Sequence, residues 1–474
     1  MEADASALAP ALAGAPVDSF VIDSREAQAG ALFFALSQPE YRDNCFNGDF
    51  EDSTRYAAAA LEQGAAAAVV RRDRFDEHRG ALEKYADRLI FVDDAIRAMQ
   101  RLAHGIYREW NRPVVAVTGS AGKTTAKELT AQVLEHSGRR VLRNIKNYNN
   151  GLGLPLTIFN LVKDPSYDLA VLEMGMSTPH HEIARLCRIT PPDVAVELNV
   201  LPVHIEHLGS IERIQQAKAE LVEGMRPGGT AVLNADDFRV FAMRDLHEGS
   251  NLTYGIDVQS DVMAKDIRFE RFGETRFRLA TPTGEAEVLY PLNGRHNIMN
   301  ALAAAGAGHV FGMTAGQIAE ALRTVVPPPQ RGEILHFKEG FTVVNDTYNS
   351  NPDALLSMAR TIVEGGAGAK RKTIVAGEMR ELGADSSAIH YETGRRLAAL
   401  GIDRLFGVEG DAARLVEGAR DAGLTETAFY ENSAAAAAGF VDQIAAGDLV
   451  LIKGSRGVRT EKVIEKLLEK YEKE

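Results

Sequence analysis

The chain has 474 residues, 45% hydrophobic and 25% charged, which is the composition of a globular protein long enough for about three domains, each with its own core. Its formal charge of -13 excludes a general nucleic-acid binder, because such a protein needs a basic face to displace the counterions of phosphates. Two distant cysteines, Cys45 and Cys187, no secretory apolar segment and no apolar run near the roughly 18 residues of a membrane span point to a reducing cytoplasm without direct membrane insertion.

Apolar, β-branched runs alternate with helical patterns along the whole chain, which reads as α/β with largely parallel sheets. A small N-terminal α/β unit, residues 1–112, contains "SFVIDSR", "ALFFAL" and "AAAAVVR", then a helix from Asp93 that Pro113 brings to an end after "EWNR". A central unit, 113–327, runs through "DLAVLEMG", "DVAVELNV" and "TAVLNAD" to a helix at "TAGQIAEAL", where Thr314 and Gln317 have capping-box spacing. The proline run "VVPPPQRGE" then forms a stiff linker. A C-terminal Rossmann-like unit, 328–474, repeats strand and helix at "FTVVNDTYN", "TIVAGEM", "DRLFGV" and "DLVLIKGSR". The alanine cluster at 434–438 reads as a close-packed helix face. Apolar runs in the second and third units end at Gly119, Glu173, Asn199, Asp346, Gly377 and Lys453. Because open α/β sheets bind ligands at the carboxyl ends of their strands, these positions are candidate site residues by topology, although polar residues also end strands without any function.

The stretch "VVAVTGSAGKTTAKE", residues 114–128, has the strand, small-residue turn and Gly-Lys-Thr-Thr of a phosphate loop. It lacks the usual spacing, since Val117 stands where that pattern has glycine. Small residues let backbone N–H groups approach an anion, and the following helix points its positive end at it. Thr118, Gly119, Ser120, Ala121, Gly122, Lys123, Thr124 and Thr125 are thus expected around the phosphates of ATP. Lys123 would meet the outer phosphates and Thr124 would offer its hydroxyl to Mg²⁺. The competing reading is a glycine turn before an ordinary helix.

"TGSAGKTTAKE" resembles the ATP loop of the Mur ligase family, the ATP-dependent amide-bond ligases of peptidoglycan precursor synthesis, and of their folylpolyglutamate synthase relatives. "NYNNGLGLPLTI", "LEMGMSTPHHEI", "NVLPVHIEHLGS", "QQAKAEL", "GRHNIMNALAA", "NDTYNSNPDAL" and "GEMRELG" follow in the family's order, and the resemblance runs from about Asp23 to the end. It implies three domains that bind, in order, a UDP-sugar, ATP and the incoming amine. It also implies that a UDP-N-acetylmuramoyl-tripeptide is joined to D-alanyl-D-alanine through an acyl phosphate. The chain is expected to act as a monomer. The Asp-Asn-Pro-Arg motif of the diaminopimelate-adding member is absent. Another Mur-type or folylpolyglutamate-like ligase and a non-catalytic nucleotide-binding protein remain as alternative readings.

By resemblance, Glu173, His204 and Lys218 join Thr124 as metal ligands. Catalysis rests on them together with Lys123. Glutamate suits a hard cation, whereas histidine is an unusual Mg²⁺ ligand and a lysine ammonium would be repelled. In the family the matching lysine is carbamylated, which turns it into a carboxylate-like ligand, and the same is expected of Lys218. Asn297 is a candidate for reading adenine, with His296 near it and Asn300 one turn on, while helix capping by Asn297 competes with that role. The resemblance puts Arg331 at the γ-phosphate and Asp346 at the ribose. Asn149 and Asn150 fall near the substrate, and Tyr348, Asn349 and Asn351 near the dipeptide, though Asn-Pro also starts helices. Ser24 and Arg25 are expected near the UDP-sugar. Here "SQPEYRDNCFNGDFED" replaces the family's Asp-Gly-His stretch.

Overall fold

The computed structural model describes residues 17–46, 49–145, 147–176, 178, 180–202 and 209–474. They form three sheets, one in each expected segment of the chain. The first holds β1 (Ser19–Val21), β2 (Ala31–Phe34), β3 (Ala67–Arg71) and β4 (Leu89–Val92), parallel and in chain order. The helix Ala95–Trp110 follows, started by Asp94, whose side chain accepts the Arg97 N–H. It is stopped by Asn111 in the left-handed conformation, two residues before Pro113.

The central sheet contains β5 (Val114–Thr118), β6 (Val141–Arg143), β7 (Leu169–Glu173), β8 (Val194–Glu197), β9 (Thr230–Asn234), β10 (Ser250–Gly255), β11 (Val262–Arg271), β12 (Glu274–Thr281) and β13 (Gly284–Tyr290). Its order is β13-β12-β11-β10-β9-β8-β5-β7-β6. Every residue of β5, β7 and β8 is buried, as in sheets covered on both faces. The edge is different: β11, β12 and β13 pair antiparallel, and β12 alternates buried with partly exposed residues, the pattern of a sheet wet on one face. The expectation of largely parallel pairing holds for β6 with β7, β9 with β10 and β10 with β11, and fails for this extension.

Helix Arg295–Val310 lies against β9 because its residues there are small. A Cβ on Gly306 would come within 2.7 Å of Val232 Cγ1. Helix Ala315–Arg323 opens with the expected capping box of Thr314 and Gln317.

The third sheet holds β14 (Glu333–His336), β15 (Thr342–Asp346), β16 (Arg371–Gly377), β17 (Arg404–Val408), β18 (Glu426–Tyr430) and β19 (Asp448–Lys453), in the order β14-β15-β19-β16-β17-β18. All its pairs are parallel except β14 with β15. Alternate residues of β19 enter opposite cores: Val450 and Ile452 on one face, Leu449 and Leu451 on the other. The strand order reverses around β15, β19 and β16, which is where a doubly wound sheet opens its ligand crevice. Of the alanine cluster, Ala436 and Ala437 are buried, while Ala434, Ala435 and Ala438 face solvent, so the cluster is not a close-packed face throughout.

By packing, the chain divides into two compact units: Met1–Ala116 with Arg139–Ala195 and Glu220–Gly229, and Val117–Gly138 with Val196–Ala219 and Thr230–Glu474.

Candidate active site

The phosphate loop joins β5 to helix Lys123–His136. Gly122 takes φ +84°, a conformation glycine adopts freely, and a Cβ there would come within 2.7 Å of Asn300 Oδ1. The loop is braced by the segment after β8. Ser120 N–H donates to Asn199 O, and Ala121 N–H to Asn199 Oδ1 (2.9 Å). Asn199 Nδ2 donates to Ala121 O, and Ser120 Oγ and Leu201 exchange two more bonds. The first helical bond runs from Ala126 N–H to Gly122 O, so the amides of Lys123, Thr124 and Thr125 precede the ladder at the positive end of the helix. Lys123 Nζ folds back onto Gly119 O (2.7 Å) and Ser120 O (3.3 Å). The loop is thus held by Asn199, with Asn300 packed close to Gly122, and the helix start that follows is open to an anion.

In the same unit as the loop, Lys218 of helix Ile211–Glu223 is buried, 2% exposed. Burial pushes its amine well below the ordinary lysine value, and the charge of Lys123 adds to this against the attraction of Glu197. Glu197 ends β8, fully buried, with neither carboxylate oxygen hydrogen-bonded among the described residues; burial pushes its acid up, opposed by Lys218 and aided by Asp237. The apolar run read as ending at Asn199 therefore ends two residues earlier, at an acid that sequence reading passed over. His204 lies outside the described residues.

In the other unit, Glu173 closes β7 and is 3% exposed. Asn144 holds its backbone from both sides, accepting the Glu173 N–H and donating to Glu173 O, each at 2.9 Å. Asn149 Nδ2 donates to Glu173 Oε1 at 2.7 Å, so the residue expected near the substrate braces the carboxylate. Asn150 Oδ1 accepts from the N–H groups of Leu152 and Gly153 and starts the helix Gly153–Ile158. Arg25 is almost fully exposed and clasps Asp23, whose Oδ1 also accepts the Arg25 N–H; Ser24 lies in the same turn. Part of the departing segment forms helix Gln38–Asp43, with Glu40 buried and accepting from the N–H groups of Ser37 and Ala95.

The remaining candidates belong to the second unit. Asn297 is not a cap: Gly294, at φ +93°, occupies that position, and Asn297 Nδ2 donates back to Asn293 O. His296 contacts Ser357 Oγ through Nδ1 (3.1 Å), and burial holds its pKa down at about 4, so the imidazole is neutral. Asp346 ends β15, and its Oδ2 accepts from Lys453 Nζ at 2.6 Å; the same ammonium donates to Asn349 O. Asp346 and Lys453 are register partners across β15 and β19. Asn351 is the N-cap of helix Pro352–Gly365, its Oδ1 accepting the Ala354 N–H, so its side chain does the helix-starting work that Asn-Pro allowed. Asn349 is exposed, with Oδ1 turned to the Ser350 N–H. The Arg331 guanidinium lies 3.9 Å above the ring of Tyr348.

Taken each within its own unit, the Glu173 carboxylate and the Thr124 hydroxyl are hard oxygen donors of the kind Mg²⁺ prefers. Lys218 as an ammonium does not suit a cation, but a buried neutral amine can take up CO₂ and become an oxygen donor. The chemistry of each of these residues is compatible with holding Mg²⁺.

Comparison with known proteins agrees with this chemistry. Residues 117–308 match the Mur ligase middle domain, and residues 330–456 match the Mur ligase glutamate ligase domain. The chain is 31% identical over 453 residues to the UDP-N-acetylmuramoyl-tripeptide--D-alanyl-D-alanine ligase of Bacillus subtilis, covering 92% of this chain and 96% of the relative. Its structure is similar to MurF from Acinetobacter baumannii (TM-score 0.82, 27% identity, covering 96% and 94% of the two chains). It is likewise similar to MurF ligase from Thermotoga maritima in complex with ADP (TM-score 0.81, 28% identity, 96% and 97% covered).

Proposed function

The chain belongs to the Mur ligase family, and from that premise we infer that it joins the free carboxylate of a UDP-N-acetylmuramoyl-tripeptide to the amine of D-alanyl-D-alanine, converting ATP to ADP and phosphate. The observation that carries this reading is near-full-length similarity to a ligase of that name, together with the braced phosphate loop in this chain.

A carboxylate and a γ-phosphate repel each other, and catalysis depends on cancelling that repulsion where charge builds up. Bound Mg²⁺, held by Thr124, Glu173 and carbamylated Lys218, with His204 as the family's further ligand, would supply charge neutralisation. Lys123 is the fixed cation of the loop. It lies over backbone carbonyls that phosphate oxygens would replace as its partners, which supports a direct role on the outer phosphates. The carboxylate of the tripeptide takes the γ-phosphoryl group to form an acyl phosphate and ADP; the dipeptide amine then attacks the acyl carbon, and phosphate leaves with the C–O bond. Asn149 and Asn144 orient Glu173, and Lys453 orients Asp346 for the ribose hydroxyls. Asn297, with its amide near the start of the helix Arg295–Val310, is the proposed adenine reader, and Arg331 the proposed γ-phosphate cation. Asn349 is the exposed candidate for the dipeptide, and Ser24 and Arg25 are proposed for the UDP-sugar. The proposed domain limits, 1–112, 113–327 and 328–474, are supported by one sheet falling in each.

A cytoplasmic location follows from the substrates, a nucleotide sugar and ATP. Among the described residues no helix is long and apolar enough to cross a membrane.

The test is ADP release with ATP, Mg²⁺ and the UDP-tripeptide, with D-alanyl-D-alanine, diaminopimelate or glutamate as the amine. Turnover that requires the dipeptide and disappears in Lys123→Ala supports the reading. Turnover with one of the single amino acids instead would move the assignment to a sister ligase.

A further inference from the structure

The linker between the second and third sheets is fastened to the third sheet at three points. Gln330 stands in the left-handed conformation at φ +63°, unusual for a residue with a side chain. Such strain persists only where neighbours hold it. Here the Gln330 carbonyl accepts the Tyr348 N–H (3.2 Å), and its Oε1 accepts from Arg456 Nη1 (3.2 Å). Arg331, the next residue, stacks its guanidinium on the Tyr348 ring at 3.9 Å, and the Arg456 guanidinium stands 5.6 Å from the same ring. Tyr348 thus touches the linker through both its backbone and its ring. Arg331 stands between three prolines and β14, outside any regular element.

We propose that Tyr348 is a positioning residue for Arg331: its ring fixes the guanidinium to the end of β15, so that Arg331 is carried by the third sheet and not by the linker in which it stands. The proposal rests on the ligase reading, in which Arg331 meets the γ-phosphate, and it gives Tyr348 a role toward ATP in place of the dipeptide contact expected from sequence. A guanidinium held flat on a ring keeps its N–H edge directed outward for phosphate oxygens, and a planar donor so restrained loses less freedom on binding. Because the γ-phosphate is what distinguishes ATP from ADP, a residue acting through Arg331 must change affinity for one nucleotide and not the other.

The experiment compares affinity for a non-hydrolysable ATP analogue and for ADP in Tyr348→Leu, Tyr348→Phe, Arg331→Ala and the double variant Tyr348→Leu/Arg331→Ala. KM values for ATP and D-alanyl-D-alanine are measured alongside. Tyr348→Leu is expected to weaken the analogue roughly fivefold, the size of a half-buried cation–π contact, with ADP affinity and dipeptide KM unchanged. Tyr348→Phe restores the analogue, and the double variant binds it no worse than Arg331→Ala alone. Equal losses for both nucleotides, no loss for either, additive losses in the double variant, or a rise confined to the dipeptide KM would each overturn the proposal. If the wild type shows no dipeptide-dependent turnover, the ligase reading fails by itself, and the two nucleotide affinities still decide the stack.

Discussion

Asn149→Ala removes one hydrogen bond, from Nδ2 to Glu173 Oε1 at 2.7 Å, and leaves both backbone bonds between Glu173 and Asn144 intact. β7 therefore keeps its end, and the change falls on the carboxylate alone. A hydrogen bond to a charged group contributes about 1.5–3 kcal/mol, and the lower end applies because Asn149 is only half-buried. About 1.5 kcal/mol corresponds to roughly a tenfold change in an equilibrium. The assay is the Mg²⁺ concentration giving half-maximal ADP release, expected to rise about tenfold with thermal stability close to wild type. Asn149→Asp, which sets a second negative charge against Oε1, is expected to lose more. An unchanged Mg²⁺ response, with the loss appearing only in the KM for the UDP-tripeptide, would refute this reasoning and return Asn149 to the substrate contact that sequence suggested.

Gly122→Ala forces a side chain into φ +84° and against Asn300 Oδ1, so a cost of about 1–2 kcal/mol is expected in urea unfolding, together with weaker ATP binding. Wild-type stability and affinity in that variant would contradict the loop geometry. His296 is kept neutral with its pKa lowered from 6.5 to about 4, chiefly by burial; Lys453 adds to this and Asp346 opposes it. Because the folded value is the lower one, this stability is fully present above pH 6.5 and is lost as pH falls toward 4. Wild type should thus lose about 2 kcal/mol more than His296→Gln between pH 7 and 4.5, and equal losses would refute it. Lys218, its pKa lowered to about 7 by burial, should form a carbamate because only the neutral amine attacks CO₂. With ¹³C-bicarbonate, a carbamate signal should grow from pH 6 to 8 and be absent in Lys218→Ala. A wild type without the signal would remove Lys218 from the metal site.

The parts of the fold that sequence made legible were those encoded by neighbouring residues. The phosphate loop reads directly because strand, glycines and helix start are contiguous, and the Thr314 and Gln317 capping box is a pattern three residues long. Glu173 was visible because an apolar run stops at it. Its brace was not, since Asn144 reaches it only when β6 and β7 pair, and nothing local marks an asparagine for that task. Glu197 was hidden inside an apolar run whose partner, Lys218, sits on a later helix. The antiparallel extension had a readable signal in the alternation of β12, between the turns at Gly273 and Thr283, which a parallel reading of the whole chain passed over. Capping by Asn297 failed for a backbone reason. Gly294 takes the positive φ at the helix start, and the chain is already helical when it reaches 297.

The ligase mechanism turns on activation of the substrate carboxylate on phosphate before the amine attacks. The most direct measurement uses UDP-N-acetylmuramoyl-tripeptide labelled with ¹⁸O in its free carboxylate, in a reaction with ATP, Mg²⁺ and D-alanyl-D-alanine. One ¹⁸O atom is expected in each phosphate released, in step with peptide formed. Phosphate released without label would contradict it, because the γ-phosphoryl group would then have gone to water and never to the carboxylate.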